Sequence, residues 1–391
     1  MKFLNIPLLL SLAISSVTVA VQGLTYTPNN DVNDHSKIAL DQLDISDAID
    51  VFNTALALDI YTNGKNRAGK SIQEMATKDW AAAGLEDVAD YDAFAALFYQ
   101  EGEPFLDTYN LDAMNCNGTF SGQSQEMCDI AAKKNLICTG LLYAQYEAVN
   151  SIQYKNEKNW DELFAFWNGV YDETVDSRVN SGGAGAVQKS RDADFGTSFL
   201  DASIQAMKNG QKAFSGSSVD TDRVTKAYDD FKRANLATFA QATLKYASLF
   251  DEEGLEQAAM DTKWGEGYTY FRCGAGLMHP ELALYINYVL DPRDKLGQVF
   301  TPKETYCKIV KKMLSLPDIG YGLTLDELNL GNYPSTSTIK EDCGLDSIKH
   351  AEGLYYSDGN YRNYVPVLEL LVVVCMYFAS YIFVTRKRKV E

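Results

Sequence analysis

The chain has 391 residues, 46% of them hydrophobic, and a formal net charge of −18. That length and apolar content allow a large buried core, in one domain or two coupled ones. The acidity disfavours nucleic acid and anionic membrane surfaces as partners and favours cations, although an acidic surface also serves plain solubility.

The first predicted element is a secretory signal at residues 1–20. Lys2 precedes an apolar run from Ile6 to Ile14, and small residues follow at Thr18 and Ala20. Its apolar core is too short to span a bilayer. Helical periodicity then dominates. Ile45, Ile49, Phe52, Leu56 and Ile60 share one face of a predicted helix, with Gly64 as its C-terminal stop. Ile137, Leu141, Leu142, Tyr146, Ala148 and Val149 form the broad apolar face of a second helix. Ser181-Gly182-Gly183-Ala184-Gly185 reads as a flexible loop, and Ser215 to Ser218 as a boundary between halves.

The longest signal runs through Val224, Tyr228, Phe231, Asn235, Phe239, Ala242, Tyr246 and Leu249. Shorter helical stretches fall at 199–214, 282–290 and 304–314. Alternating β-branched runs are scarce, so the expected fold is all-α. An internal echo suggests a duplicated helix bundle, with Trp160/Glu162 aligned to Trp264/Glu266 and an aromatic cluster and a Gly following each. Coincidence between two aromatic helices is the competing reading.

Beyond about Leu330 the helical pattern fades into a stalk rich in Asn, Ser and Thr. Val365 to Val384 is then apolar apart from Glu369, and Thr385-Arg386-Lys387-Arg388-Lys389 follows. About 20 residues at 1.5 Å rise match a hydrocarbon core of about 30 Å, and the basic cluster stays on the cytoplasmic side. A removed lipid-anchor tail is the alternative, and the basic end argues against it. The expected layout is therefore type I single-pass. A signal peptide (1–20) precedes an ectodomain (21–330) with candidate halves 40–216 and 217–330. A stalk (331–364), a transmembrane helix (365–384) and a cytosolic tail (385–391) follow. That tail has no Tyr or Leu, so a sorting signal is expected elsewhere.

Six cysteines lie outside the span: Cys116, Cys128, Cys138, Cys273, Cys307 and Cys343. In an oxidising compartment they imply up to three disulfides of open connectivity, and no CxxC pair suggests a thiolate metal site. A local Cys116–Cys128 bridge would clip the loop around the sequon Asn117-Gly118-Thr119, making Asn117 a glycosylation candidate. Cys343 is expected to pin part of the stalk to the domain.

There are only three histidines, His35, His279 and His350, and no HExxH, HxxE, GxSxG, P-loop or GxGxxG. A zinc site or a histidine-based hydrolase is poorly served, so an enzyme is not expected. His35 and His350 are expected to be solvated, and His279 precedes a helix that starts at Pro280. Tyrosine is abundant, with 24 copies, many next to acids: Asp59 near Tyr61, Tyr146 beside Glu147, Tyr171 beside Asp172 and Glu173. Glu266, Tyr268, Tyr270 and Arg272 share one segment. Phenolate and carboxylate oxygens are hard ligands suited to ferric iron, which displaces a phenol proton well below its free pKa of about 10. Amphipathic packing is the ordinary role of any single Tyr. In Ser190-Arg191-Asp192-Ala193-Asp194-Phe195-Gly196-Thr197, Arg191 offers a planar fork for an oxyanion, aided by the free amides of a helix beginning near Thr197. A helix start decorated with acids is the equal alternative.

Asp59-Ile60-Tyr61-Thr62-Asn63-Gly64-Lys65-Asn66, the segment WDELFAFWNGVYDE from Trp160, and SRDADFGT from Ser190 resemble the low-iron-inducible periplasmic protein family. Its membrane-anchored members in marine microalgae are the phytotransferrins, or iron-starvation-induced surface proteins. The similarity covers about residues 40–320. The resemblance implies capture of ferric iron at the plasma membrane with carbonate as synergistic anion, and internalisation by endocytosis. Release would follow when the vesicle acidifies, with endocytic or ferrireductase proteins as partners. The family's ligands do not transfer position by position. On chemistry alone, the metal candidates in these family-like segments are Tyr61, Glu162, Tyr171, Asp192, Asp194, Glu266, Tyr268 and Tyr270, with Arg191 and Arg272 for the anion. A surface adhesion or scaffold protein with purely structural tyrosines is the alternative, and it would show no ferric colour.

Overall fold

Apolar spacing at helical period yields helices throughout, and among the described residues there is no strand. The computed structural model describes residues 25–67, 69–78, 105–173, 176–178, 182–249, 255–291, 302–330 and Cys343. The expected signal, the transmembrane segment 365–384, the tail, His350 and the stalk apart from Cys343 lie outside these residues. No described helix is long and apolar enough to cross a membrane.

Four short helices open the structure: α1 (Asn33–Ser36), α2 (Ile38–Asp50), α3 (Thr54–Asn63) and α4 (Ile72–Ala76). The apolar face from Ile45 to Ile60 is not one continuous helix. It breaks at Phe52, whose φ is 56° and whose ring is 82% exposed. Asn53 then restarts the chain, its side chain accepting the Leu56 amide at 3.1 Å. Gly64 stops α3 as expected, with a φ of 70°.

After α5 (Phe105–Asn115) come two hairpins, each a long helix followed by a shorter one. The first joins α6 (Gln125–Tyr154) to α7 (Glu157–Asn168). The turn is made by Lys155 in the left-handed region and by Asn156, which caps α7. The second pairs α10 (Thr221–Leu249) with α11 (Gln257–Ala275). Between the hairpins lie α8 (Ala184–Phe195) and α9 (Phe199–Phe214). The helices α12 (Pro280–Leu290) and α13 (Pro302–Leu314) follow the second hairpin. The helical stretches expected at 199–214, 282–290 and 304–314 are α9, α12 and α13.

The hairpins do not stand apart, because α11 lies along α6. Gly265 permits this approach. A Cβ there would meet Ile130 Cγ2 at 2.7 Å, so any side chain would push α11 off α6. Cys138–Cys273 staples the same pair of helices, Cys116–Cys128 closes the loop that exposes Asn117, and Cys307–Cys343 ties the stalk to α13. The helical part falls in one compact unit that extends to Cys343.

Gly183 and Gly185 do not belong to a flexible loop. Gly183 is the N-cap of α8, and a Cβ on it would lie 2.4 Å from the Trp167 carbonyl oxygen. A Cβ on Gly185 would press on the Trp167 ring at 3.2 Å. These residues are small because α8 starts directly against the end of α7.

Each hairpin makes the same kinds of contact with its own neighbouring helices. Trp160 of α7 donates its indole N–H to the Met207 carbonyl at 2.9 Å, and Trp264 of α11 donates to the Leu290 carbonyl at 2.8 Å. Gln42 of α2 donates to the Leu136 carbonyl of α6, as Gln188 of α8 donates to the Ala234 carbonyl of α10.

Candidate functional site

Five of the ten sequence-chosen ligands lie outside any shared cluster of candidate ligands, although Arg272 sits 5.7 Å from the centre of the Tyr268 ring. Tyr61 is fully buried, donates to Asp107 Oδ1 at 2.8 Å and accepts from Asn110 at 3.2 Å. Burial and the Asp107 carboxylate push its phenol up. Tyr171 packs on Phe164 with ring centroids 5.3 Å apart, and burial with nearby Asp31 raises its phenol also. Tyr268 is buried and donates to Asn287 at 3.3 Å. The Arg272 guanidinium lies 3.8 Å from the centre of the Tyr109 ring, a cation–π contact inside the core.

Asp192 serves as a capping residue. It accepts the Thr197 hydroxyl at 2.6 Å and the Phe199 and Leu200 amides at 2.8 and 2.7 Å. The N-terminal amides of α9, for which a bound anion was one of two equal readings, are thus held by the chain's own carboxylate. The acid-decorated helix start is the reading that the geometry favours.

Four of the others converge. Helix α8 presents Arg191 and Asp194 on one face, α11 presents Glu266 and Tyr270 on one face, and α10 supplies Lys245 and Tyr246 between them. Arg191 Nη2 lies 2.8 Å from Asp194 Oδ2, which also receives Lys245 Nζ at 2.9 Å. The guanidinium sits 5.7 Å from the centre of the Tyr246 ring, which stacks on Tyr270 at 5.5 Å with an interplanar angle of 22°. Glu266 is 3.5 Å from both Lys134 of α6 and Lys263 of α11.

Burial and the Glu266 carboxylate raise both phenols, opposed by Arg191. Arg191 is only 5% exposed, and its Nη2 also donates to Ser190 Oγ at 3.0 Å. Its Nε and Nη1 are buried without a hydrogen-bond partner. Leaving such charged donors unpaired costs several kcal/mol, roughly, so an oxyanion that accepted from them would be strongly favoured. Sequence reading missed Tyr246, Lys134, Lys245 and Lys263. Tyr246 was hidden in the apolar stripe of α10, where its ring counts as packing.

The tenth residue, Glu162, belongs to a different cluster. His35 is not solvated, for its Nε2 lies 3.2 Å from Glu162 Oε1, and burial pushes its imidazole down. Lys158 is 3.3 Å from the same oxygen. Nearby Glu147 is 5% exposed and accepts from Asn159 at 2.7 Å and Asn150 at 3.2 Å.

Burial, followed by Glu162, raises the Glu147 carboxyl above the usual carboxylate range. The folded protein therefore keeps this proton at a pH where the unfolded chain has released it. Ionised Glu147 opposes folding above its raised pKa, and stability recovers as pH falls toward the ordinary value near 4.5. Glu147→Gln is thus expected to raise the thermal midpoint at neutral pH. The gain should shrink as pH falls through the acidic range, and a pH-independent gain would refute the assignment.

Among the described residues, no three His, Cys, Asp or Glu side chains gather as a metal-holding group. The class of protein is set by an all-helical fold, three disulfides and buried clusters of cations and tyrosines: a bundle matured in an oxidising compartment. The chain matches the family described as low iron-inducible periplasmic protein over residues 8–252, and it belongs to that family. The match includes Arg191, Asp194 and Tyr246 and ends before Glu266 and Tyr270. No curated protein and no solved structure matches the chain.

Proposed function

We propose that the protein captures ferric iron outside the cytosol, with carbonate as a partner anion, at the cluster of Arg191, Asp194, Tyr246, Glu266 and Tyr270. The observation that carries this reading is the buried Arg191 guanidinium, two of whose nitrogens lack partners, beside the stacked Tyr246 and Tyr270. Ferric iron would replace the phenol protons, and its charge would offset the cost of the buried phenolates. Carbonate would accept from Arg191 and supply two further oxygens to the metal. Four cations, Arg191, Lys134, Lys245 and Lys263, surround two carboxylates here, which suits a site that must also hold an anion.

Proton uptake by carbonate and by the phenolates would then weaken binding in an acidifying vesicle. On this reading the segment 365–384 tethers the protein to the plasma membrane, and endocytic or ferrireductase partners complete uptake. A visible-absorption titration of the protein with ferric iron, with and without bicarbonate, tests it. A tyrosinate-to-iron charge-transfer band that requires bicarbonate is expected. A band indifferent to bicarbonate would remove the anion from the mechanism, and no band at all would favour the scaffold alternative.

A further inference from the structure

We infer that Arg67, Tyr143, Tyr146 and Glu162 form a second ferric site assisted by an oxyanion, so that one chain holds two metal ions. The inference rests on the function proposed for the Arg191 cluster and extends it to the other hairpin. Arg67 has a side chain 9% exposed, and its Nε and Nη1 are buried without a hydrogen-bond partner. These are the same two atoms that lack partners in Arg191. Its nearest acid, Asp34 Oδ2, lies 3.7 Å from Nε, beyond hydrogen-bond reach.

The guanidinium lies 5.3 Å from the centre of the Phe166 ring, and that ring meets Tyr143 edge-on at 4.8 Å. Tyr143 in turn packs on Tyr146 at 5.2 Å. Lys70 donates to the Tyr143 hydroxyl, and Lys78 sits 5.2 Å from the centre of the Tyr146 ring. Glu162 is bound by Lys158 as Glu266 is bound by Lys263. The make-up is similar as well. Two phenols and the buried carboxylates Glu147 and Glu162 stand among the cations Arg67, Lys70, Lys78 and Lys158, with Asp34 and His35 also at the cluster.

The echo in sequence fits this placement. Trp160 and Trp264 each anchor a short helix to a neighbouring carbonyl, and the Glu two residues later faces its cluster. The aromatic residue four positions beyond that Glu, Phe166 or Tyr270, then packs on a tyrosine of a long helix, Tyr143 or Tyr246. The construction is not copied residue for residue. Phe166 stands where Tyr270 does, so both phenols of this cluster come from α6.

The test is the number of ferric ions bound per chain, titrated with ferric nitrilotriacetate in bicarbonate buffer and followed by metal analysis and visible absorbance. The full chain is compared with Tyr143→Phe/Tyr146→Phe and with Tyr246→Phe/Tyr270→Phe, and Arg67→Gln is included as a variant that leaves every phenol in place. Thermal midpoints report whether each variant is folded. Two ions for the full chain, and one for each folded double variant, is the expected result. Arg67→Gln should weaken one of the two ions about tenfold or more, since it removes a charge-assisted partner of the anion. One ion in the full chain, lost only in Tyr246→Phe/Tyr270→Phe, would overturn the second site and leave the proposed function standing. One ion lost only in Tyr143→Phe/Tyr146→Phe would uphold this site and overturn the first. No ferric binding by the full chain would overturn both.

Discussion

Arg191→Ala is expected to weaken ferric binding at its cluster, and the loss should grow as bicarbonate is lowered. The guanidinium would present Nε and Nη1 to the anion while Nη2 remains with Asp194 and Ser190. Removing it would forfeit charge-assisted hydrogen bonds worth about 1.5–3 kcal/mol each, equivalent to a drop of roughly 10- to 100-fold per bond. Arg191→Lys should not restore the site, because an ammonium cannot offer the planar fork. Tyr246→Phe with Tyr270→Phe should cost more. Loss of partners outside a metal's own coordination already costs about 10–100-fold, and this variant would remove the proposed ligands themselves. That double variant should retain at most the charge-transfer absorbance that Tyr143 and Tyr146 supply. The check is a ferric titration at high and low bicarbonate with a stability measurement alongside. Equal loss at every bicarbonate level would assign Arg191 a folding role, since its ion pair with Asp194 also ties α8 to Lys245 of α10.

How much of this cluster the sequence discloses depends on how far apart its parts lie in the chain. Arg191 and Asp194 are three residues apart, and Glu266 and Tyr270 four apart, so helical spacing alone puts each pair on one face. That α8 and α11 turn those faces toward the same stretch of α10 is a tertiary fact that no local pattern encodes. Tyr246 shows the limit from the other side. Its ring satisfies the apolar stripe of α10 and also stacks on Tyr270 beside Arg191, and periodicity registers only the first of these.

Asp192 was misleading for a related reason. A carboxylate in a helix-start motif suits both a metal and free amides, and in the structure it is the amides of α9 that hold it. The same ambiguity affected Phe52, which continues the apolar spacing of α2 yet stands exposed with a positive φ. The helices α6 and α10 were legible because their apolar faces persist over many turns, where a local exception cannot break the pattern. The cysteines divide in the same way. Cys116–Cys128 spans 12 residues and could be proposed from its loop, whereas Cys138–Cys273 spans 135 and needs the fold to be known.

That long bridge carries the largest expected stability effect. Cys138→Ser with Cys273→Ser should destabilise the protein by about 4–5 kcal/mol on the loop-entropy account, because a crosslink across so long a segment removes much of the unfolded chain's freedom. Cys116→Ser with Cys128→Ser opens a loop roughly a tenth as long and should cost nearer 3 kcal/mol. In thermal unfolding the first variant should melt roughly 10 °C below the intact protein and clearly below the second variant. The difference should extend to function, because of where the long bridge sits. Lys134 is one turn before Cys138 on α6, Tyr270 is three residues before Cys273 on α11, and Lys134 reaches across to Glu266 at 3.5 Å. Releasing the staple lets α6 and α11 shift against each other at the point where the cluster spans them. Ferric affinity at 25 °C, well below either midpoint, should then fall in the Cys138/Cys273 variant and stay unchanged in the Cys116/Cys128 variant. Equal midpoints would contradict the stability argument, and equal ferric affinities would show that the gap between α6 and α11 is set by packing around Gly265 without help from the bridge.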